Sequence, residues 1–195
     1  MLAMKSARDY NTKLRGGRME HIKRIKRELA IKGSIVDFYS DTMEIDGVKL
    51  AKFDFIDHHG ASAMIPVDSE GRILMVRQYR NAVDNYTLEI PAGGLNKGES
   101  NLTCAIRECE EETGYKAGEV HHLIDIYTTV AFCNEKICIY YTNELTRSAQ
   151  HLDDDEFISI ERHTLEELTA MIMDGSIMDA KTIAGILAYK TKKGL

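Results

Sequence analysis

Residues 93–115 read GGLNKGESNLTCAIRECEEETGY, and the rest of the chain is organised around them. Four of the five residues from Glu108 to Glu112 are glutamates, set at the end of an expected helix just before Gly114. Stability does not explain that placement. Like charges at i,i+3 and i,i+4 each cost roughly a few tenths of a kcal/mol, and a helix C-terminus already carries partial negative charge. A cation that binds the carboxylates resolves the conflict. Ser100 is a suitable N-cap. Leu102, Ala105, Ile106 and Cys109 recur at helical spacing as a buried stripe, and Gly114 suits the left-handed position after the helix. At about 100° per residue, Glu108 and Glu112 lie roughly 40° apart on one border of that stripe. Glu111 sits beside them and Glu110 falls on the opposite side, which separates three convergent carboxylates from a bystander.

Upstream, the pattern is β. Ile35, Val36, Phe38 and Tyr39 form one apolar run and Val48, Leu50, Phe53, Phe55 and Ile56 another, with the hairpin signal Asp46-Gly47 between them. Ala61–Val67 and Ile73–Val76 follow, joined by the turn Asp68-Ser69-Glu70-Gly71, and the strand Tyr86–Ile90 stops at Pro91. Met19, Ile22, Ile25 and Leu29 are spaced for a short amphipathic helix, although the same stretch could lead straight into a strand. Residues 1–18 are expected to be irregular.

Downstream, strands are expected at Val120–Val130, Lys136–Tyr141 and Phe157–Ile160, with an acidic turn at Asp153–Glu156. Thr164-Leu165-Glu166-Glu167 is a capping box that opens a helix ending near Gly175. A last helix runs from about Asp179 to Lys190. The division expected is a basic arm over residues 1–30, a small β region over 31–58 and the main domain over 59–195.

The chain has 195 residues, with 44% hydrophobic and 29% charged, ordinary values for a globular protein. No run approaches the roughly eighteen apolar residues of a membrane span. No signal peptide is legible, so a cytoplasmic location is expected. Residues 1–32 hold ten Lys/Arg against three Asp/Glu, a net +7 in a chain of −6, which leaves −13 on the remainder. A body that acidic is a poor partner for nucleic acid. The four cysteines form no CxxC pair, so neither a zinc site nor a disulfide framework is indicated. The adjacent histidines His58-His59 and His121-His122 point to opposite strand faces and cannot share a ligand, so they read as surface imidazoles.

Written as G-x5-E-x7-R-E-x-x-E-E-x-G, the central stretch places Gly93, Glu99, Arg107, Glu108, Glu111, Glu112 and Gly114 at seven set positions over twenty-two residues. It resembles the Nudix box, so the chain is similar to Nudix hydrolases. Cys109 departs from the usual aliphatic residue and Tyr115 from the usual apolar one. The resemblance implies an α+β fold: an α/β/α sandwich with a mixed central sheet, plus a small N-terminal β region. It also implies Mg²⁺ as cofactor, with Mn²⁺ able to replace it, held by Glu108, Glu111, Glu112 and the backbone carbonyl of Ala92. Hard oxygen donors of this kind suit that cation. Arg107 reads as the counter-ion that positions the glutamates, and Glu99 as a support of the loop or of an outer metal.

Val76-Arg77-Gln78-Tyr79-Arg80 and Leu88-Glu89-Ile90-Pro91-Ala92-Gly93-Gly94 further resemble the ADP-ribose and ADP-sugar pyrophosphatase branch. That resemblance places Arg80 and Glu89 at the substrate site. It implies a homodimer in which the early strands exchange between subunits. It puts a general base at Glu135, with Glu111 the other candidate. The loop Thr129-Val130-Ala131-Phe132-Cys133-Asn134-Glu135 lacks the branch's usual proline and glycine, which bears on substrate choice. The reaction implied is hydrolysis of a nucleoside diphosphate linked to another moiety, ADP-ribose first. The alternatives are another nucleotide sugar, a dinucleoside polyphosphate, or a non-catalytic nucleotide-sensing module.

Overall fold

The computed structural model describes residues 21–152 and 157–195. The irregular segment expected over residues 1–18 and the acidic turn at 153–156 lie outside the described residues.

Three antiparallel strands open the described chain: β1 (Ile22–Lys32), β2 (Asp37–Ile45) and β3 (Lys49–Asp57), in that spatial order. Between β2 and β3, Asp46 and Gly47 both take positive φ at the centre of a turn closed by Val48 N–H on Ile45 O at 3.2 Å, within a three-residue connection. Of the two readings open for Met19–Leu29, the strand is the one observed. Residues 22–30, assigned by charge to the basic arm, are paired to β2 as part of this sheet. The helix-like spacing is accommodated by register shifts between Arg24 and Lys26 and between Leu29 and Ile31. An inserted residue makes an odd spacing compatible with one strand face.

The central mixed sheet has the order β7 (Ala92–Gly94), β4 (Ala61–Pro66), β10 (Lys136–Thr142), β9 (Val120–Tyr127). β4 runs parallel to β10, and the two outer pairs are antiparallel. A second sheet orders β12 (Ser159–His163), β5 (Ile73–Arg80) and β6 (Asn85–Glu89), while β11 (Leu145–Arg147) pairs with β8 (Tyr115–Ala117). Successive residues of a strand face opposite ways, so Met64 and Ile65 serve different layers. Met64 packs with Ala105 and Cys109 of α1 (Asn101–Thr113). Ile65 packs with Ile139 and with Ile186 and Tyr189 of α3 (Ala180–Lys193), and Leu168 of α2 (Leu165–Met173) joins that core. This is the expected α/β/α sandwich. Gly185 lets α3 approach the sheet, since a Cβ there would lie 3.2 Å from Ile90 Cδ1 and 3.4 Å from Ile139 Cγ2.

The caps follow the sequence. The Ser100 side chain accepts from Thr103 N, and Gly114 closes α1 at φ 68° with its N–H on Glu110 O. Thr164 and Glu167 form the reciprocal capping box of α2. The strand expected at Phe157–Ile160 begins later, at Ser159, where pairing to β5 becomes available.

Candidate active site

The last two turns of α1 face the short strand β7 and carry the acidic cluster. Glu112 is 2% exposed, and its Oε2 accepts the Ala92 N–H at 3.0 Å. Glu108 lies over Gly93, where an added Cβ would overlap its carboxyl group. The glycine is therefore required by the carboxylate above it. Arg107 sits at the centre. Its Nη1 donates to Glu108 Oε1 at 2.6 Å and to Glu111 Oε2 at 2.8 Å. Its Nε and Nη2 grip Glu99, both at 2.9 Å, and Nη2 also reaches Gly94 O at 3.1 Å. The Arg107 hydrogen bond brings the Glu99 carboxyl down to about 2, against a smaller upward push from burial. Arg107 itself is raised, first by its bond to Glu99. Glu110 points away and takes the Ser148 hydroxyl at 2.7 Å.

This geometry refines the expectation of three convergent carboxylates. Glu108 and Glu111 close on Arg107 between them. Among the described residues no three His, Cys, Asp or Glu side chains are gathered into a ready-made metal cage. The donor set nevertheless fits a hard divalent cation. Acidic oxygens from one helix turn lie beside a glycine-walled cradle, and one guanidinium balances only part of their charge.

A second cluster lies under β6. Glu89 is 2% exposed and meets four donors. Arg80 donates through Nε at 2.8 Å and Nη2 at 2.7 Å, Thr87 Oγ1 at 2.6 Å, and Lys181 Nζ also bonds it. Burial pushes this carboxyl up, but the Arg80 hydrogen bond and the Lys181 and Arg80 charges outweigh it and hold it at about 2. Lys181, 8% exposed, also bonds Asp179 at 3.0 Å. Thr182 Oγ1 accepts the Ile90 N–H at 3.0 Å. The start of α3 thus braces the backbone that leads into Ala92. Lys181 was not singled out from sequence. The available signal was its place in the first helical turn, where a cation opposes the helix dipole and so calls for a specific acidic partner.

Glu135 stands at the end of the 129–135 loop, before β10. Its Oε2 accepts the Thr128 hydroxyl, and His58 Nε2 lies 3.5 Å from Oε1. His58 is therefore not the surface imidazole expected. Its side chain is 16% exposed, and its Nδ1 accepts the Gly60 N–H at 3.0 Å. The loop turns without proline or glycine because Thr129 O accepts from both Phe132 N and Cys133 N.

A NUDIX domain model matches residues 57–184. The chain is 35% identical over 175 residues to an ADP-ribose pyrophosphatase of Bacillus subtilis (strain 168), an alignment that covers 89% of this chain and 95% of that protein. It is also 35% identical over 181 residues to a methanol dehydrogenase activator of Bacillus methanolicus, covering 92% of this chain and 98% of that one. The backbone superposes on a crystal structure of an ADP compounds hydrolase with a TM-score of 0.81, across 92% of this chain and 98% of the other. At 17% identity that last likeness speaks for the fold alone.

Proposed function

The chain belongs to the NUDIX domain family, and from that premise we propose that it is a pyrophosphatase acting on ADP-ribose, with AMP and ribose 5-phosphate as products. The observation that carries this reading is the carboxylate cluster around Arg107 beside Ala92–Gly94. Mg²⁺ is the proposed cofactor, Mn²⁺ able to replace it, with Glu108, Glu111, Glu112 and the Ala92 carbonyl as its holders. When bound, such a cation neutralises the diphosphate and makes the attacking water more acidic. The chain's own groups do the rest. Arg107 keeps Glu108 and Glu111 from swinging apart. Arg80 spends Nε and Nη2 on Glu89, so Nη1 lies outside that pair and can meet an anionic oxygen. Glu135, with Glu111 as the alternative, takes the proton of water as oxygen bonds to phosphorus and the bridging P–O bond breaks. Such a base is worth about 10²–10⁴-fold in rate.

A nucleobase has a place to go. A cavity of about 380 Å³ opens between the N-terminal sheet and the 130–134 loop, walled by Met43, Phe53, Phe55, Tyr127 and Phe132. Aromatic walls suit the face of a purine. The same loop favours keeping a second reading, another nucleotide sugar, because its unusual sequence forms one wall. Purified chain with Mg²⁺ should convert ADP-ribose in preference to other ADP-sugars, a guanosine diphosphate sugar and a dinucleoside polyphosphate. Turnover confined to another class would overturn the substrate. Binding without turnover would make it a sensing module.

The proposal includes a homodimer, supported by the exposed apolar side chains of β1 and β3. It divides the chain between this β region, preceded by the basic arm, and a catalytic domain from residue 59 onward. It also includes a cytoplasmic location. The four cysteines remain free thiols, as a reducing compartment maintains. Burial raises Cys104 to about 11 and Cys109 to about 12. Among the described residues no helix is long and apolar enough to cross a membrane.

A further inference from the structure

We propose that His58 is a positioning residue that aims Glu135, and that the junction of β3 with the 129–135 loop is built to hold the two together. The inference rests on the reading of Glu135 as the base. It begins with a tautomer. Gly60 N–H donates to His58 Nδ1 at 3.0 Å, so in the neutral ring Nδ1 is the acceptor and Nε2 carries the hydrogen. That hydrogen is on the nitrogen 3.5 Å from Glu135 Oε1. On the other side the Thr128 hydroxyl donates to Oε2 at 2.5 Å. The carboxylate thus accepts a hydrogen bond at Oε2 and has the His58 ring nitrogen 3.5 Å from Oε1, groups from two different segments.

The backbone around the pair is latched as well. Ile56 N–H donates to Phe132 O at 2.7 Å, and Asn134 N–H to Ile56 O at 3.4 Å. The Asn134 side chain accepts the His58 N–H at 2.7 Å and donates to Asp57 Oδ1 at 2.7 Å. Asn134 and Glu135 are neighbours, as are Asp57 and His58. One rung of this ladder therefore fixes the spacing of the next. A loop without its own proline or glycine is made to present Glu135 by its attachment to β3. Orientation of a base is a rate effect, since misplacement by an ångström can cost about a hundredfold.

Two substitutions separate positioning from support of the turn. His58→Asn places an oxygen near the position of Nδ1, keeps the Gly60 bond and removes the arm toward Glu135. His58→Gln places its amide nitrogen near Nε2 and keeps the arm. For the full chain with Mg²⁺ and ADP-ribose, His58→Asn should lower kcat about tenfold with KM changed less than about twofold. His58→Gln should recover most of that loss. Glu135→Gln should lower kcat about a hundredfold or more, and adding His58→Asn to it should lower kcat no further. Wild-type kcat in His58→Asn, or losses that multiply in the double variant, would overturn the role of His58. Near-wild-type turnover in Glu135→Gln would instead overturn the base itself.

Discussion

Glu89 stays ionised in the interior because Arg80, Lys181 and Thr87 all donate to it. Its carboxyl lies at about 2, below the ordinary 4.5. A depressed carboxyl favours the fold while ionised. Its contribution is therefore whole above about pH 4.5 and is lost as pH falls toward 2, of order 3 kcal/mol at neutral pH. Glu89→Gln strands the buried Lys181 ammonium and the partly exposed Arg80 guanidinium, the kind of change that costs about 3–5 kcal/mol when one partner of a buried pair is removed. Urea melts should therefore show the variant much weaker than wild type at pH 7 and the two converging only as the pH falls to about 2. Parallel pH curves would show that the carboxylate does not carry this share of the acid sensitivity.

At the scale of elements, α1 was the part most fully written in the sequence. Its cap at Ser100, its buried Ala105 and Cys109, its terminator at Gly114 and the outward turn of Glu110 all follow from local spacing, whereas Leu102, expected in the same buried stripe, lies exposed at the helix start. The supports of the site were not legible in the same way. Lys181 and Glu89 are ninety-two residues apart, and Asn134 and Asp57 seventy-seven. Only the sheet, through the Ala61–Gly94 and Ala61–Ile137 pairings, brings such groups into one neighbourhood. Local periodicity also left β1 open between helix and strand, because pairing to β2 decides it. The acidic end of α1 makes a prediction of its own. Carboxylates crowded around one arginine hold net negative charge, so a cation that binds only the folded state should raise its melting temperature. Millimolar Mg²⁺ should stabilise wild type and Glu110→Gln alike, and EDTA should remove the effect. Glu112→Gln keeps an acceptor for the Ala92 N–H, so its own fold should survive, yet it should lose the Mg²⁺ shift and about a hundredfold or more of activity. An unchanged shift in Glu112→Gln would remove Glu112 from the metal site.

For the whole molecule, the question is what covers the N-terminal sheet. Ile22, Ile25, Leu29 and Ile31 of β1 and Leu50 of β3 are all exposed, as is Val48 in the turn before it. These side chains keep their apolar surface in water, and patches of this kind mark interfaces. Within the sheet, Arg27 pairs with Asp41 at 2.7 and 2.6 Å and lies 3.6 Å over the Phe55 ring. The unit is therefore well formed internally, while among the described residues these apolar side chains stay exposed. A second copy of the chain would bury them by presenting the same apolar strands, as an isologous pair does. Light scattering should give a mass close to twice that of one chain. Leu29→Glu combined with Leu50→Glu should give monomers. The same sheet meets the catalytic part through Ile56, Phe132 and Asn134, so monomers should also lose turnover, because the loop that carries Glu135 is anchored on β3. A wild-type monomer at full activity would defeat the dimer proposal. A dimer whose disruption leaves kcat untouched would confine the sheet to assembly.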